Sequence, residues 1–384
     1  MMELPTATFI EALAHDANLS PKAVQVLHSS GARSPEAVLS LLKAFPSLST
    51  GKLFNASELS NRVLHLGGAN VQTLLSAQHG ILSLKRRGTP AGFGAVPPPQ
   101  ARWKKGDRVP VTPAPHSMGA AMAPAPVPLE GPAIDVRGCL PWPVRDQGDR
   151  GTCVAFAVTA LREQLLCETQ GGIVDLSEQF LYWAIKSTGI DSIPNQDGTW
   201  IEFALQALRT QGICTEAEWP YDPTAIPGNV SHGGQGAPSA PAIAQAASFA
   251  CKPDVWRNTY GTTGHANAVL QELRSGRPVA VSLPVFHDAL RADVNNWTTD
   301  VGWAFGHVID PPETSVADGG HAVCVVGFEP DPSEPKGGYF TIRNSWSEEW
   351  GFDLPVTGYH GPEPGYGQIS ASYVDNFLWE YGQL

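Results

Sequence analysis

Between Gly88 and about Pro132 the chain carries prolines in close succession, as Pro97-Pro-Pro, Pro113-Ala-Pro, Pro124-Ala-Pro-Val-Pro128 and Gly131-Pro132. Proline fixes φ and removes a backbone donor, so a stretch this dense in it can neither propagate a helix nor sit inside a sheet. With little apolar content it reads as an extended, polyproline-like spacer. The spacer divides the chain into 1–87 and 133–384. A length of 384 residues and 42% hydrophobic content leave room for two or more domains with sizeable cores.

Residues 1–87 pattern as a small all-α module. Ser20-Pro-Lys-Ala-Val-Gln-Val-Leu27 and Ser34-Pro-Glu-Ala-Val-Leu-Ser-Leu41 each place a serine N-cap, a proline at the first helical position and then apolar residues at helical spacing. Gly31 and Pro46 end these two helices, and further short helices are expected over Thr8–His15, Ser57–Leu66 and Asn70–Gln78. A packed bundle of unknown role is the simplest reading, and a protein partner for the module is the alternative.

Charge and cysteine usage exclude several classes. The net charge of −12 and sequence pI near 5.3 argue against nucleic acid or an anionic membrane as the main partner, despite the basic clusters Lys85-Arg-Arg87 and Arg102-Trp-Lys-Lys105. No apolar run approaches the roughly 18 residues of a membrane span. Met1-Met-Glu-Leu-Pro-Thr-Ala lacks the basic and apolar regions of a secretory signal, so a cytoplasmic, reducing location is expected. Among the six cysteines there is no Cys-x-x-Cys pair; Cys214 and Cys251 flank a long loop and could pair, whereas Cys139, Cys167 and Cys324 read as buried structural thiols. The histidines His265, His287, His307 and His321 lack metal-ligand spacing, and Gly233-Gly-Gln-Gly236 lacks the Lys-Ser/Thr of a phosphate loop. Neither a metal nor a cofactor is expected.

The chemistry concentrates at Arg145-Asp-Gln-Gly-Asp-Arg-Gly-Thr-Cys-Val-Ala-Phe156. Apolar helical periodicity begins immediately after Cys153, which places that thiol at a helix N-terminus, where unpaired N–H groups and the helix dipole favour thiolate. The amide of Gln147, back across the turn, can donate toward an oxyanion near the sulfur. Further on, His321 opens a β-branched run after two glycines and Asn344 closes another, Tyr339-Phe-Thr-Ile-Arg-Asn344. A histidine and an asparagine on neighbouring strands supply a proton acceptor and the carbonyl that orients it.

These residues resemble the papain-like cysteine peptidases, as a bacterial-type member. The resemblance rests on Gln147-Gly148 with Gly151-Thr-Cys153, on His321 after two glycines, and on Asn344-Ser-Trp346 followed by Trp350-Gly351. Leu176-Ser-Glu-Gln179, Asp197-Gly198, Trp219-Pro-Tyr221 and Gly276-Arg-Pro-Val279 extend it, in the family's order, over roughly 134–384. It implies an α+β fold of two lobes, one helical and one built on an antiparallel sheet, with the all-α module separate from it. It also implies roles: Gln147 as oxyanion donor, Cys153 as nucleophile, His321 as base and Asn344 as its orienter. Trp346 would shield the His–Asn bond and border the substrate site. The backbone of Gly198 would pair with an extended substrate, and Thr199 and Trp200 would border the pocket for the side chain second from the cut.

Several features depart from that pattern. Arg150 and Val154 replace the cysteine three residues before the nucleophile and the aromatic just after it. The family disulfide that uses that cysteine cannot form, and Arg150 could lower the thiol pKa or read an acidic substrate group. The Cys153 to His321 separation of about 168 residues exceeds the roughly 130–150 of the family, which points to extra loop around 222–262. The segment with Trp297, Trp303, Phe305 and His307 is expected to be local core or to overhang the cleft, and Leu354–Pro364 reads as an insertion. The N-terminal module lacks the long charged helix of an inhibitory prosegment. Part of the proline-rich spacer, however, could lie along the cleft and require cutting or displacement.

The reading is a thiol-dependent endopeptidase working through an acyl-enzyme on peptide or protein substrates. A transpeptidase or ligase using the same intermediate, and a non-catalytic adaptor acting through the N-terminal module, are the alternatives.

Overall fold

A computed structural model describes residues 6–32, 34–50, 55, 58–66, 94–96, 128–141, 143–224, 236–253, 255–259, 264–312, 315–332, 334–351 and 363–384. The expected helix Asn70–Gln78, both basic clusters, most of the proline-rich spacer, the body of the 223–242 loop and most of the 354–364 insertion lie outside them.

The N-terminal helices form where their caps predict. α1 (Thr6–Asp16) is followed by α2 (Pro21–Ser29) and α3 (Pro35–Ala44), whose N-cap hydroxyls on Ser20 and Ser34 accept from the Ala23 and Ala37 N–H groups at 3.2 and 3.1 Å. α4 (Ser47–Thr50) and a further helix, α5, over 58–66 complete the described part. Their apolar faces, including Ile10, Leu27, Leu41 and Phe45, are buried in one cluster with Val294, Val301, Phe305 and Ile309 of the larger part. The module therefore shares a core with the chain that follows the spacer.

That larger part has a helical lobe and a sheet lobe. α6 (Cys153–Gln170) runs between them, buried on nearly every face through Gln164, with α7 (Glu178–Ser187) and α8 (Ile201–Thr210) against it. Its apolar residues do not follow a single stripe because it has neighbours all round. α9 (Ala240–Ser248) closes the lobe below α8.

Among the described residues the strands form one eight-stranded antiparallel sheet. β2 (Val255–Asn258), β8 (Glu380–Gln383), β3 (Val279–Asp288), β5 (Ser315–Pro330), β6 (Gly338–Arg343) and β7 (Tyr366–Ser370) lie in that order, with β1 (Ile134–Asp135) on β5 and β4 (Arg291–Asn295) on β3. α10 (Ala266–Arg274) and α12 (Ala371–Phe377) cover one face, together with the buried aromatics Phe286, Trp297, Phe340 and Tyr373. α11 (Asp300–Phe305) carries the shared core with α3.

One cysteine expectation is corrected. Cys139, in a short 3-10 turn after β1, comes under the far end of α6 and forms a disulfide with Cys167, at a Cα–Cα distance of 5.6 Å. The pairing depends on the length of α6 and on the return path of the turn, neither of which cysteine spacing reveals. Cys214 and Cys251 are both free thiols, the first buried in the helical-lobe core. Among the described residues, no helix is long and apolar enough to cross a membrane.

Candidate active site

Cys153 is the first residue of α6, where Thr152 is the N-cap. Its sulfur accepts the backbone N–H of Ala322 at 3.3 Å, which places it beside His321 on β5. The His321 Nε2–H donates to the Asn344 side-chain oxygen at 2.7 Å. Asn344 sits one residue past β6, and the same oxygen also accepts the Ser345 N–H at 2.8 Å, which fixes the amide. Residues 168 positions apart thus meet because α6 lies across β5.

Aromatic rings enclose the imidazole. Trp346 stacks on His321 with centroids 4.5 Å apart and an interplanar angle of 23°, and Trp297 meets its edge at 5.2 Å. Trp346, at 2% exposure, is packed against the histidine and touches Trp297, Trp303 and Trp350. Trp297 is fully buried behind the base, and the half-buried Trp303 packs against Trp346. His307 serves a different purpose: its ring nitrogen meets the Gly31 carbonyl at 3.2 Å and helps seat the N-terminal helices. The 284–312 segment is thus a core element and a docking platform.

The Gln147 loop is pinned against the segment after Asn344. Asp146 bridges Trp346, the Gln147 N–H reaches the Ser345 carbonyl at 2.8 Å, and the Ser345 hydroxyl donates to the Gln147 side-chain oxygen at 2.6 Å. The Gln147 Nε2 donates to the Arg150 carbonyl at 2.8 Å, and the Tyr221 hydroxyl donates to the Gln147 carbonyl at 2.9 Å. Arg150 corrects an expectation. Its fully buried guanidinium bonds Gln179 at 2.7 Å and the Asp222 carbonyl at 2.5 Å, and it lies 4.8 Å from the Tyr221 ring centre. It braces the loop from behind and has no exposed surface with which to read a substrate group.

A short piece of the spacer lies in the cleft. Ala95 forms a parallel bridge with Thr199: the Thr199 N–H donates to the Gly94 carbonyl at 2.8 Å and the Val96 N–H to the Thr199 carbonyl at 3.2 Å. On the other side the Ala95 N–H donates to the Gly320 carbonyl at 3.1 Å. Gly94–Val96 therefore ties the helical lobe to β5 directly over Cys153, and both Cys153 and His321 have no exposed surface. Burial pushes the Cys153 thiol up to about 11, opposed in part by the backbone N–H groups of Ala322, Gly94, Val154 and Ala95 that face the sulfur. Burial likewise pulls His321 down to about 4 against its bond to Asn344. Both shifts favour thiol and neutral imidazole over the ion pair.

The expected substrate-facing residues line this edge, with one correction. Both polar groups of Gly198 are turned away from the cleft: its N–H meets the Tyr182 hydroxyl at 3.2 Å and its carbonyl accepts from Lys186. The backbone that pairs with an extended segment is that of Thr199. Gly198 is still required to be glycine, because φ is +81° and a Cβ would stand 2.6 Å from the Gly94 oxygen. Trp200 is the N-cap residue of α8 and packs edge-on against Phe203 at 5.0 Å. Lys186 and Tyr182 escaped the sequence reading, since a lysine in the last turn of a helix ordinarily means a solvated end.

A model of the papain family cysteine proteases matches residues 132–360. The chain belongs to the papain family. Its curated relatives include Cathepsin J of Rattus norvegicus, 28% identical over 218 residues that cover 55% of this chain and 54% of the relative. Procathepsin L of Rattus norvegicus is 25% identical over 219 residues, covering 56% of each. The chain thus spans little more than half the length of these relatives. Among solved structures, Xylellain, a cysteine protease from Xylella fastidiosa, superposes with a TM-score of 0.51 at 21% identity, covering 77% of this chain and 97% of that one. At that identity the match speaks for the two-lobe fold.

Proposed function

We propose that this papain-family chain is an endopeptidase that cuts peptide bonds through Cys153, and that Gly94–Val96 holds it in a covered state. The observation that carries the reading is the chain of contacts from the Cys153 sulfur to Ala322 and from His321 to Asn344 under the Trp346 ring. In this mechanism His321 takes the thiol proton, and the thiolate attacks the substrate carbonyl carbon. The oxyanion is held by the Gln147 amide and the Cys153 backbone N–H. His321 then gives its proton to the leaving amine, and a water activated by the same imidazole releases the acid from the acyl-enzyme.

The covering segment is held as a ligand and not as a substrate. A bond about to be cut has to turn its carbonyl oxygen to the oxyanion donors, whereas the Gly94 carbonyl is engaged by the Thr199 N–H. The burial that keeps thiol and imidazole neutral ends once water reaches the pair. Displacement of 94–96 should therefore be the activating step.

Intact mass after treatment with an iodoacetamide-type reagent tests both parts, using the full chain, Cys153→Ala and His321→Ala. The expected result is single labelling that requires Cys153 and His321 and speeds up when the spacer is cut, along with peptide hydrolysis that Cys153→Ala abolishes. Labelling spread over Cys214, Cys251 and Cys324 at similar rates, with hydrolysis unaffected by Cys153→Ala, would sink the reading. For location, the Cys139–Cys167 bridge supports an oxidising compartment over the reducing one expected from the sequence. Four titratable thiols in the denatured, unreduced protein would bear that out, and six would restore the cytoplasmic reading.

A further inference from the structure

The loop from 189 to 198 wraps around one buried ammonium group. Lys186, in the last turn of α7, has a side chain with no exposed surface, as does Asp191, and the two form an ion pair at 2.6 Å. The same ammonium donates to the carbonyls of Gln196 at 2.8 Å, Ile193 at 3.3 Å and Gly198. Asp191 turns its other oxygen to the Ile193 N–H at 2.7 Å, and its own N–H returns to the Ile185 carbonyl at 3.2 Å. One turn earlier on α7, Tyr182 takes the Gly198 N–H. The helix thus grips both polar groups of Gly198 from below, and the next residue, Thr199, is left with its N–H and carbonyl directed across the cleft.

A buried cation is costly unless its partners are complete. Here they are a carboxylate and three carbonyls, all from within twelve residues of Lys186 and all on the loop that leads to Thr199. An apolar side chain could fill the same space but could not bind three carbonyl oxygens. Burial draws the Lys186 pKa down, while Asp191, by hydrogen bond and charge, holds it up.

We propose that Lys186, paired with Asp191, is a positioning residue: it fixes the Gly198 peptide so that the Thr199 backbone forms the edge on which extended polypeptide is bound, whether Gly94–Val96 or a substrate. The inference rests on the peptidase reading for the substrate half, while its structural half is testable on the covered full chain. Lys186 touches neither substrate nor the reacting atoms.

Hydrogen exchange by mass spectrometry, with Cys153 alkylation in parallel, on full-length wild type, Lys186→Met, Lys186→Arg and Asp191→Asn decides it. Loss of the ammonium should raise exchange at least about tenfold in peptides covering 94–96 and 193–199, leave β3, β5 and β6 at wild-type rates, and speed alkylation of Cys153. Lys186→Arg, which keeps cationic donors, should restore protection more than Lys186→Met, which keeps only bulk and shape. A role in packing alone predicts the reverse order, and that order would overturn the proposal. So would wild-type exchange at 193–199 in Lys186→Met, or a rise spread evenly through α7, α8 and the sheet. If Lys186→Met does not fold, Asp191→Asn carries the test with the same local rise expected, and wild-type or uniform exchange in it overturns the proposal. Absence of Cys153-dependent hydrolysis in the wild type would remove the peptidase reading, and the exchange result would still judge the clamp.

Discussion

On the sheet side of the cleft His321 lies inside β5, paired with Leu283 of β3, with β6 joining β5 from Cys324 onward and indole rings of Trp346 and Trp297 against the imidazole. On the helical side Thr199 lies in a loop, and its position comes from polar bonds below it, to Lys186, Asp191 and Tyr182. The first edge is fixed by cooperative strand pairing and apolar packing, which do not depend on any one group. The second depends on a few charge-assisted bonds. In the proposed peptidase, chemistry that tolerates little displacement is placed on the rigid edge, and recognition of an incoming chain on the edge that can yield. The covering segment bonds to both, through Gly320 on one side and Thr199 on the other.

That contrast can be broken most strongly at Trp346. Trp346→Ala removes a buried ring from the sheet side and should cost about 3–5 kcal/mol of stability, read as a lowered denaturant midpoint. A loss below about 1 kcal/mol would mean that packing does not hold this edge. Gln147 is pinned between the two sides by two buried side-chain hydrogen bonds; Gln147→Ala should cost about 1–3 kcal/mol of stability and lower kcat on the order of 10²–10³-fold once the cleft is open. Unaltered turnover would remove it from the oxyanion site.

Acidification sharpens the comparison further. His321 is held at about 4 against an ordinary value of 6.5, so between those values the folded chain binds fewer protons than the unfolded one. Stability contributed by the buried neutral imidazole is complete above 6.5 and is lost as pH falls through 4, by an amount on the order of 3 kcal/mol. His321→Gln lacks that window, so the stability gap between wild type and variant should narrow by about this amount from pH 7 to 4. Glu163, held up to about 8 by burial, has the opposite sign and is common to both proteins, so it cancels in the difference. A gap that stays constant would show a hydrated imidazole.

The smallest effect belongs to the yielding edge. Gly198→Ala forces a side chain into a left-handed conformation at a cost of about 1–2 kcal/mol and pushes it toward Gly94 and Val96. It should loosen the cover and speed Cys153 alkylation several-fold with the denaturant midpoint of the sheet lobe little changed. Slower alkylation would place the yielding edge elsewhere.

By itself the sequence determined the helix starts at Ser20 and Ser34 and the strand runs around His321 and Asn344, and its resemblance to the papain family implied the α+β class and singled out Cys153, His321, Asn344 and Gln147, which the structure brings to one cleft. The helix starts and strand runs follow from local physics, caps and periodicity; the class and the residue set follow from motifs matched in order along 134–384. Only the tertiary structure decided the Cys139–Cys167 bridge, the brace made by Arg150, the docking of the N-terminal helices on 284–312 and the seat of Gly94–Val96 over the thiol. It also decided that Thr199, and not Gly198, presents its backbone, because the choice depends on Tyr182 and Lys186 reaching the Gly198 peptide from the helix beneath. Each of these joins segments far apart in the chain through contacts between single atoms, and no periodicity or spacing carries that information.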